Sequence, residues 1–580
     1  MCKETEKELE KRSGRWRPRP LDPGPIRDLA REHGLALPIA TLLWQRGVLE
    51  DVEDFLQPSL GRLPDPATML GMDRAVAILA DAVQAGRPIV VYGDYDADGV
   101  TAAAVLDSFF RALGVRVTVV QPDRFRHGYG LHGELVQRIG EGAGPGGVLV
   151  TVDCGITDQE TVALARQLGL EVIVTDHHQP PQQLPPASAI LNPLQPGCSF
   201  PEKHLAGVGI AFYLAVGLRR ELRRRNNGFA EPNLKELLDL VAIGTVADMV
   251  PLVGVNRIFA RIGLDVLRTS RRPGLAALLR ASGLEEGAPI TAEDIAFRLG
   301  PRLNAAGRMD SAAAAFRLLT CRNEADAKEL AAAVEDHNDD RKRTTEAVVE
   351  EAAALVQEPD EAVVVAGRGW HQGVLGIVAS RLVERFNRPA IVLALPDTDD
   401  EPARGSGRSV VGFNLYRALA GCADLLERFG GHEQAAGLAI FPQNIEAFTE
   451  RFQRLVREAG VGGLQPLEVD LVIDGREIAS EEFLRQYRLL GPFGIGNPEP
   501  LFAARAIRFA EATVLKARHL RCRWVTGAGP LACIGFGFGH LYEQAVRRPA
   551  DMLFYLRPNY WRGSERWQAH IADLIFEPSR

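Results

Sequence analysis

Cysteine is scarce and scattered in this sequence: seven in 580 residues (Cys2, Cys154, Cys198, Cys321, Cys422, Cys522 and Cys533), with no Cys-x-x-Cys pair. That excludes a zinc knuckle and a disulfide framework, and predicts a reducing, cytoplasmic setting. Long apolar runs are missing too. The longest, about Leu205 to Leu218, is too short to span a bilayer, so no membrane association is expected. The opening MCKETEKELEKR is charged throughout and has no apolar stretch of the kind a signal peptide needs. Nor is there a basic excess, since 67 Lys and Arg against 75 Asp and Glu give a net charge of -8. Any contact with a polyanion must therefore be a local basic surface on an acidic body. Repeats and low-complexity segments are absent.

What remains is an ordinary globular composition, 46% hydrophobic and 24% charged, in a chain too long for one core. Its patterning divides it. Residues 1–74 read as an N-terminal extension, disordered at first and then a helical cap over about Pro38 to Leu56. Residues 75–265 open with strand-like runs at Pro88–Tyr92, Arg116–Val120, Val148–Val152 and Val172–Thr175. Between these lie helix-period segments such as Thr101–Leu113 and Asp158–Leu168, which predicts a doubly wound parallel sheet. Residues 266–358 read as a helical connector ending in one long helix, Glu324 to Gln357. A second α/β pattern fills 359–462. After Gly462-Gly463, residues 463–580 carry short, evenly spaced strands that suggest a small β-barrel.

Each of the four early strands runs into polar residues at its carboxyl end. They are Asp94-Tyr95-Asp96-Ala97-Asp98-Gly99, then Asp123-Arg124, then Asp153-Cys154-Gly155, then Asp176-His177-His178. In an open parallel sheet those ends lie together, where α/β folds place their sites. Packed carboxylates repel unless cations neutralise them, and carboxylates with one or two imidazoles suit Mn²⁺ or Mg²⁺. Two such ions about 4 Å apart could activate a water and grip a phosphate. Asp248, set among Val, Ala and Met, is a further carboxylate in need of a partner. Taken alone, Asp-x-Asp-x-Asp-Gly also fits a Ca²⁺ loop, and Asp-His-His a helix cap; the ordered set at successive strand ends favours a two-metal site.

The order Asp-x-Asp-x-Asp-Gly, Val-Asp-Cys-Gly, Asp-His-His and a later Asp after a helix resembles the DHH phosphoesterase family. The resemblance implies that Asp96, Asp98, Asp153, His177 and Asp248 are metal ligands, with Asp153 bridging both ions. Asp94 joins them as a further ligand, because Tyr92 stands where pyrophosphatase-like relatives keep a histidine. His178 would face the scissile phosphate, and Asp176 would orient the histidine pair.

Further segments resemble the RecJ branch of that family. They are Gly300-Pro301-Arg302-Leu303-Asn304-Ala305-Ala306-Gly307-Arg308, Trp370-His371-Gln372-Gly373, Arg404-Gly405-Ser406-Gly407-Arg408, Gly430-Gly431-His432-Glu433-Gln434, and Gly491-Pro492-Phe493-Gly494-Ile495-Gly496-Asn497-Pro498. For the last only a turn-forming role can be given. On this reading 75–265 is a DHH catalytic domain, 359–462 a DHHA1 substrate-binding domain and 463–580 an OB-like domain. Candidate substrate contacts are Arg124, Arg302, Asn304, Arg308, His371, Arg404, Ser406, Arg408 and His432. Of these, the resemblance places Arg124, Ser406 and Arg408 around a 5′-phosphate. His519, Arg521 and Arg523 alternate on one strand face and, with Trp524, Phe536, Phe538, Tyr555, Tyr560, Trp561 and Trp567, offer a rail for a single strand, although about half these aromatics should be barrel core. The run Arg219 to Arg225 reads as a solvated helix end.

The expected function is a metal-dependent exonuclease acting 5′→3′ on single-stranded DNA in repair and recombination, with two Mn²⁺ or Mg²⁺ ions. A cleft between the two α/β domains would exclude duplexes, and the polarity comes from the resemblance alone. The resemblance also implies a single-strand-binding protein and a helicase as partners. Alternatives are a DHH phosphodiesterase for short oligonucleotides or cyclic dinucleotides, or a non-catalytic DNA-binding scaffold.

Overall fold

The computed structural model describes residues 15–225, 228–285, 287–309, 311–356, 361–398, 400–460, 466–561 and 564–577. Two compact units share the chain: residues 1–301, 315–331 and 465–580 form one, and 302–314 with 332–464 the other.

The first unit contains a five-stranded, all-parallel sheet in the order Thr118–Val120, Ile89–Gly93, Val148–Val152, Glu171–Thr175, Ala189–Leu191. Strands Ile89–Gly93 and Val148–Val152 are buried at every position, as helices on both faces require. The edge strand Ala189–Leu191 escapes a reading by pattern because it is three residues long and comes after a proline-rich loop. Helix Gly207–Arg224 packs beneath this sheet. Its arginine-rich end is neutralised by ion pairs from Arg220 to Asp65, Arg223 to Glu231, and Arg225 to Asp81 and Glu221.

The same unit holds a seven-stranded C-terminal sheet, in the order Leu471–Val472, Phe502–Ile507, Ala550–Trp561, Ser564–Phe576, Pro530–Gly535, His519–Val525, Phe509–Leu515. Phe502–Ile507 runs through Arg508 straight into Phe509–Leu515, yet these stretches lie near opposite ends of that order. Continuous chain can do this only if the sheet curls round on itself, which is how an OB barrel is built. Of the start expected to be disordered ahead of the helical cap at Pro38, residues 1–14 lie outside the described residues, as do Gly462-Gly463, whereas Trp16–Pro18 and Pro23–His33 form an ordered strand and helix. From Arg15 onward the N-terminal segment is tied to the barrel. Trp16–Pro18 pairs in parallel with Leu467–Val469, and buried Trp16 donates from Nε1 to Asp573 Oδ2 at 2.8 Å. Helices Pro23–His33, Leu37–Gln45 and Val52–Leu56 share one core with the barrel, through Leu29, Leu42, Leu43, Phe483, Phe502 and Met552.

The second unit is a five-stranded sheet in the order Arg428–Gly431, Ala435–Ile440, Ala403–Arg408, Ala390–Leu395, Val363–Arg368; the last pair is parallel and the others antiparallel. Helix Leu375–Phe386 covers one face and Ile445–Ala459 the other, by way of Phe448, Phe452 and Val456. The long helix is continuous from Glu324 to Leu355.

Candidate active site

Ile89–Gly93 and Val148–Val152 are neighbours, although the chain between them first visits Thr118–Val120 on the other side. Connections that leave two adjacent parallel strands in opposite directions open a crevice at their carboxyl ends. Asp94 and Asp153 are the first residues beyond those two ends. Asp96 caps helix Ala97–Ala112, its Oδ1 accepting from the backbone N–H of Asp98 at 3.0 Å and of Gly99 at 3.1 Å. The next strand delivers Asp176, His177 and His178, and helix Leu238–Ala247 ends on Asp248. His177 Nε2 lies 3.2 Å from Asp153 Oδ1 and 3.6 Å from Asp248 Oδ2. Three ligand sets result, Asp94 with Asp96 and Asp153, Asp98 with His177 and Asp248, and Asp153 with His177 and His178. Within each, one donor atom per residue lies within 4.8 Å of the others.

Four atoms decide whether this cluster fits divalent ions. Asp94 Oδ1, Asp153 Oδ1, His177 Nε2 and Asp248 Oδ2 are buried and have no hydrogen-bond partner among the described residues. Burial and the neighbouring Asp96 push Asp94 well above the usual carboxylate range. The same two causes raise Asp98 to about 7. Burial, then Asp98 and Asp96, lift Asp248 to about 10, and Asp153 is raised by burial and then by Asp98, Asp96, Asp248 and Asp94. Burial, reinforced by His178, lowers His177 to about 4, so its imidazole is neutral, the form that ligates metal. Orphaned oxygens that repel one another and a neutral nitrogen between them are the donor set of an oxygen-preferring divalent ion. The residues fit.

Backbone strain marks the same place. Asp153 has φ of 62° and Met249, beside Asp248, φ of 61°, a conformation that side-chain-bearing residues hold only when the surroundings enforce it. Asp98 is more tightly engaged than its motif suggests. Its Oδ2 accepts from Gly207 N at 2.6 Å and its Oδ1 from Val208 N at 2.9 Å, so the carboxylate also caps helix Gly207–Arg224. Lone pairs remain for an ion, but the position of Asp98 is set by that helix.

Asp176 orients one histidine rather than the pair. Its Oδ1 accepts from His178 Nδ1 at 2.8 Å and from His178 N at 3.0 Å, and its Oδ2 from Ile156 N at 3.0 Å. Burial pushes Asp176 up, but the bonds and charge of His178 outweigh it and hold it below the usual range. Burial pulls His178 down, and Asp176 outweighs that in turn, raising it. With Nδ1 bound to Asp176, Nε2 of His178 is the nitrogen left for a substrate. Tyr129, which no motif singles out, places its hydroxyl 3.0 Å from His178 Nδ1 and donates to Asp153 O at 3.3 Å. Tyr92 is buried and donates to Gly130 O at 3.0 Å, bracing the loop that carries Tyr129. The Arg124 guanidinium, on that same loop, lies over the Tyr95 ring at 5.2 Å.

In the second unit, Arg404, Ser406 and Arg408 alternate on strand Ala403–Arg408 and share a face. Arg408 Nη1 donates to Ser406 Oγ at 3.1 Å. A Cβ at Gly376 would stand 2.8 Å from Arg408 Nη2 and 3.1 Å from Ser406 Oγ, so both lie against the first turn of helix Leu375–Phe386. Guanidinium, hydroxyl and helix N-terminus are donors that together could hold an anion such as phosphate. His371 caps the turn leading into that helix, accepting from Gly373 N at 3.1 Å. Arg302, Asn304 and Arg308 lie on helix Gly300–Met309; Arg302 pairs with Glu335, and Arg308 donates to Gly373 O at 3.2 Å. His432 is exposed in the turn between Arg428–Gly431 and Ala435–Ile440.

On the barrel, Arg521 and Arg523 are exposed and His519 half-exposed, all on one face of His519–Val525. Arg523 is paired with Glu511 at 3.0 Å, and His519 Nδ1 accepts from Gly537 N at 3.0 Å. Phe536, 63% exposed, lies against His519 and His570, whereas Trp524 is core against Phe554. The side chain of Trp561 lies outside the described residues.

Residues 88–245 match the DHH family N-terminal domain, 360–458 the DHHA1 domain and 469–573 the RecJ OB domain. The single-stranded-DNA-specific exonuclease RecJ of Salmonella typhimurium is 41% identical over 531 residues, covering 87% of this chain and 90% of its own. The chain belongs to the RecJ family. A second RecJ, from Bacillus subtilis, is 37% identical over 571 residues, 96% of this chain and 70% of its own. The crystal structure of RecJ with Mn²⁺ from Thermus thermophilus superposes with a TM-score of 0.80 at 31% identity, covering 98% of this chain and 80% of that one. The Bacillus subtilis and Thermus thermophilus relatives thus match nearly the whole of this chain. Among the described residues, no helix is long and apolar enough to cross a membrane.

Proposed function

We propose that this chain is a metal-dependent exonuclease that degrades single-stranded DNA from its 5′ end and releases 5′-mononucleotides, in DNA repair and recombination. The observation that carries this reading is the convergence of Asp94, Asp153, Asp248 and His177, each with a buried, unpaired donor atom, in a chain of the RecJ family. Asp94, Asp96, Asp98, Asp153, His177 and Asp248 would hold two Mn²⁺ or Mg²⁺ ions, as the metals in the Thermus structures suggest. Bound there, the ions supply Lewis acidity and activation of water at neutral pH.

The remaining work belongs to the side chains. His178, fixed through Nδ1 by Asp176, turns Nε2 to a phosphate oxygen of the scissile bond. Ser406 and Arg408, at the start of helix Leu375–Phe386, take a terminal phosphate, as Arg124 does from its own loop; this is the origin proposed for 5′ polarity. Arg302, Asn304, Arg308, Arg404, His371 and His432 are assigned to the strand's sugar–phosphate chain, and His519 with Arg521 and Arg523 to its distal part. A single-strand-binding protein and a helicase as partners belong to the same proposal and rest on the family resemblance. A cytoplasmic setting is supported by the free thiols of the described cysteines.

The test uses a 5′-labelled single strand with Mn²⁺. Asp153→Ala or His177→Ala is expected to abolish cleavage while the strand is still bound, and the wild type should release its label first as a mononucleotide. Full activity in either variant refutes the metal centre; label retained on long products refutes the polarity.

A further inference from the structure

The buried stripe of the long helix Glu324–Leu355 changes character in its middle. Val334, Asn338, Arg341, Thr345, Val348 and Ala352 succeed one another at three- and four-residue steps and so share one face. Val334, Val348 and Ala352 are buried apolar residues, the last two packed with Val363 and Val374. Between them the stripe is polar, with Asn338 1% and Thr345 7% exposed. Burying polar groups costs free energy unless each finds a partner. Two do not. Among the described residues, Thr345 Oγ1 and Arg341 Nε are buried without a hydrogen bond.

Charge is unbalanced at the same spot. Arg341 donates from Nη2 to the neutral Asn338 Oδ1 at 2.9 Å and makes no ion pair among the described residues. Arg302 and Arg381 are close enough to add to the effect of burial on Arg341, and both lower its pKa. Arg302 already engages Glu335, which also faces Lys342 at 3.9 Å, and Arg381 stands 3.8 Å from Glu384. A half-buried guanidinium with a free N–H, one turn from an unpaired hydroxyl and beside other guanidiniums, lacks an anion that offers several acceptor oxygens. Phosphate has that chemistry. Arg341 is only half-buried, so such a group can approach its guanidinium, and a small side-chain shift is needed to bring Nε and the covered Thr345 Oγ1 within its reach.

We propose that Arg341 and Thr345 form a phosphate-binding subsite on the long helix, taken by an internal phosphodiester of the single strand. The choice of the strand as source rests on the nuclease reading; a free phosphate monoester has the same chemistry.

Binding of a fluorescent oligothymidylate to the metal-free full chain, measured over a salt series, tests it. Arg341→Gln should flatten the slope of log affinity against log salt by about 0.7, the share of one single-strand phosphate contact. Thr345→Val should weaken binding by about three- to tenfold, as loss of one hydrogen bond does. Its DNA-free melting temperature should hold or rise, because the substitution removes an orphaned hydroxyl. Slopes and affinities unchanged in both variants overturn the subsite as a strand contact, as does a Thr345→Val that melts lower and binds normally. Inorganic phosphate separates the sources: strand binding unaltered in both variants, together with a phosphate-induced rise in melting temperature that the wild type shows and Arg341→Gln loses, keeps the site but overturns the strand as its ligand. Wild-type cleavage is measured alongside. A wild type that does not cut refutes the nuclease reading, whereas a cutting wild type with unaltered variants removes only this subsite.

Discussion

A methyl group at Gly207 would stand 2.9 Å from both Asp98 Oδ2 and Asp153 Oδ1 and 2.8 Å from Asp153 Cβ. Those neighbours are proposed ligands, so Gly207→Ala cannot be absorbed without moving the site it borders. Alanine ordinarily stabilises a helix relative to glycine, which makes the sign informative. The substitution should weaken Mn²⁺ binding by about 10–100-fold, as changes just behind metal ligands do; isothermal titration with the metal alone reads it, and an unchanged affinity would show that Gly207 is only a helix start. The residue scale also shows where sequence reading stops. Asp94, Asp153 and His177 were legible because carboxylates and imidazoles advertise their chemistry at strand ends, and Asp248 because a carboxylate set among apolar residues needs a partner. Gly207 carries no chemistry, and its partner Asp98 lies 109 residues away. Tyr129, between Gly128 and Gly130, belongs to no motif, and only the fold brings its hydroxyl to His178.

At the scale of elements, the segment 491–498 had a recognisable motif and no legible task beyond turning. The structure supplies one. Asn497 Nδ2 donates to Leu490 O and Pro492 O, each at 2.8 Å, folding the loop around itself. Ile495 O then accepts from Leu252 N at 2.7 Å, four residues beyond Asp248. Arg257, 2% exposed on helix Gly254–Arg268, completes the junction. It donates to Leu489 O and Gly491 O at 2.9 Å, to Leu490 O at 3.1 Å and to Phe55 O at 2.9 Å, with its guanidinium 3.8 Å from the Phe55 ring centroid. Burial, then Arg261 and Arg46, lowers it to about 9, the mark of a cation satisfied by dipoles instead of a counter-charge. The barrel thereby braces the stretch that carries Asp248, a proposed metal ligand. Arg257→Met, which leaves those carbonyls unpaired, should cost about 3–5 kcal/mol. Chemical denaturation measures it, and a loss below about 1 kcal/mol would mean that the carbonyls find water instead.

At the scale of the molecule, the parallel sheet and the long helix were readable because periodicity is local. The partner of the N-terminal cap was not: Trp16 and Asp573 are 557 positions apart, and no pattern within either segment encodes the other. The carboxylate cluster likewise has a consequence that only the assembled fold reveals. Asp98 is raised to about 7 and Asp248 to about 10, with Asp94 and Asp153 raised as well, all above the ordinary unfolded value. A folded state that binds protons more tightly than the unfolded one gains stability at low pH and loses it as pH rises through the folded values. In the metal-free protein their contribution is therefore complete below the unfolded value of about 4 and is lost as pH rises through about 7 and on towards 10. His177, lowered to about 4, acts oppositely, but only below its unfolded value near 6.5, so it leaves the neutral range to the carboxylates. A divalent ion replaces the missing protons and binds the folded state alone, so its stabilising effect must grow as protons leave. Thermal melts in Mn²⁺ against EDTA should show a larger metal-induced rise at pH 8 than at pH 5.5, and Asp153→Ala should erase most of that difference. A rise that is equal at both pH values, or larger at pH 5.5, would mean that the cluster stays charged without cations and that the physical case for a metal centre fails.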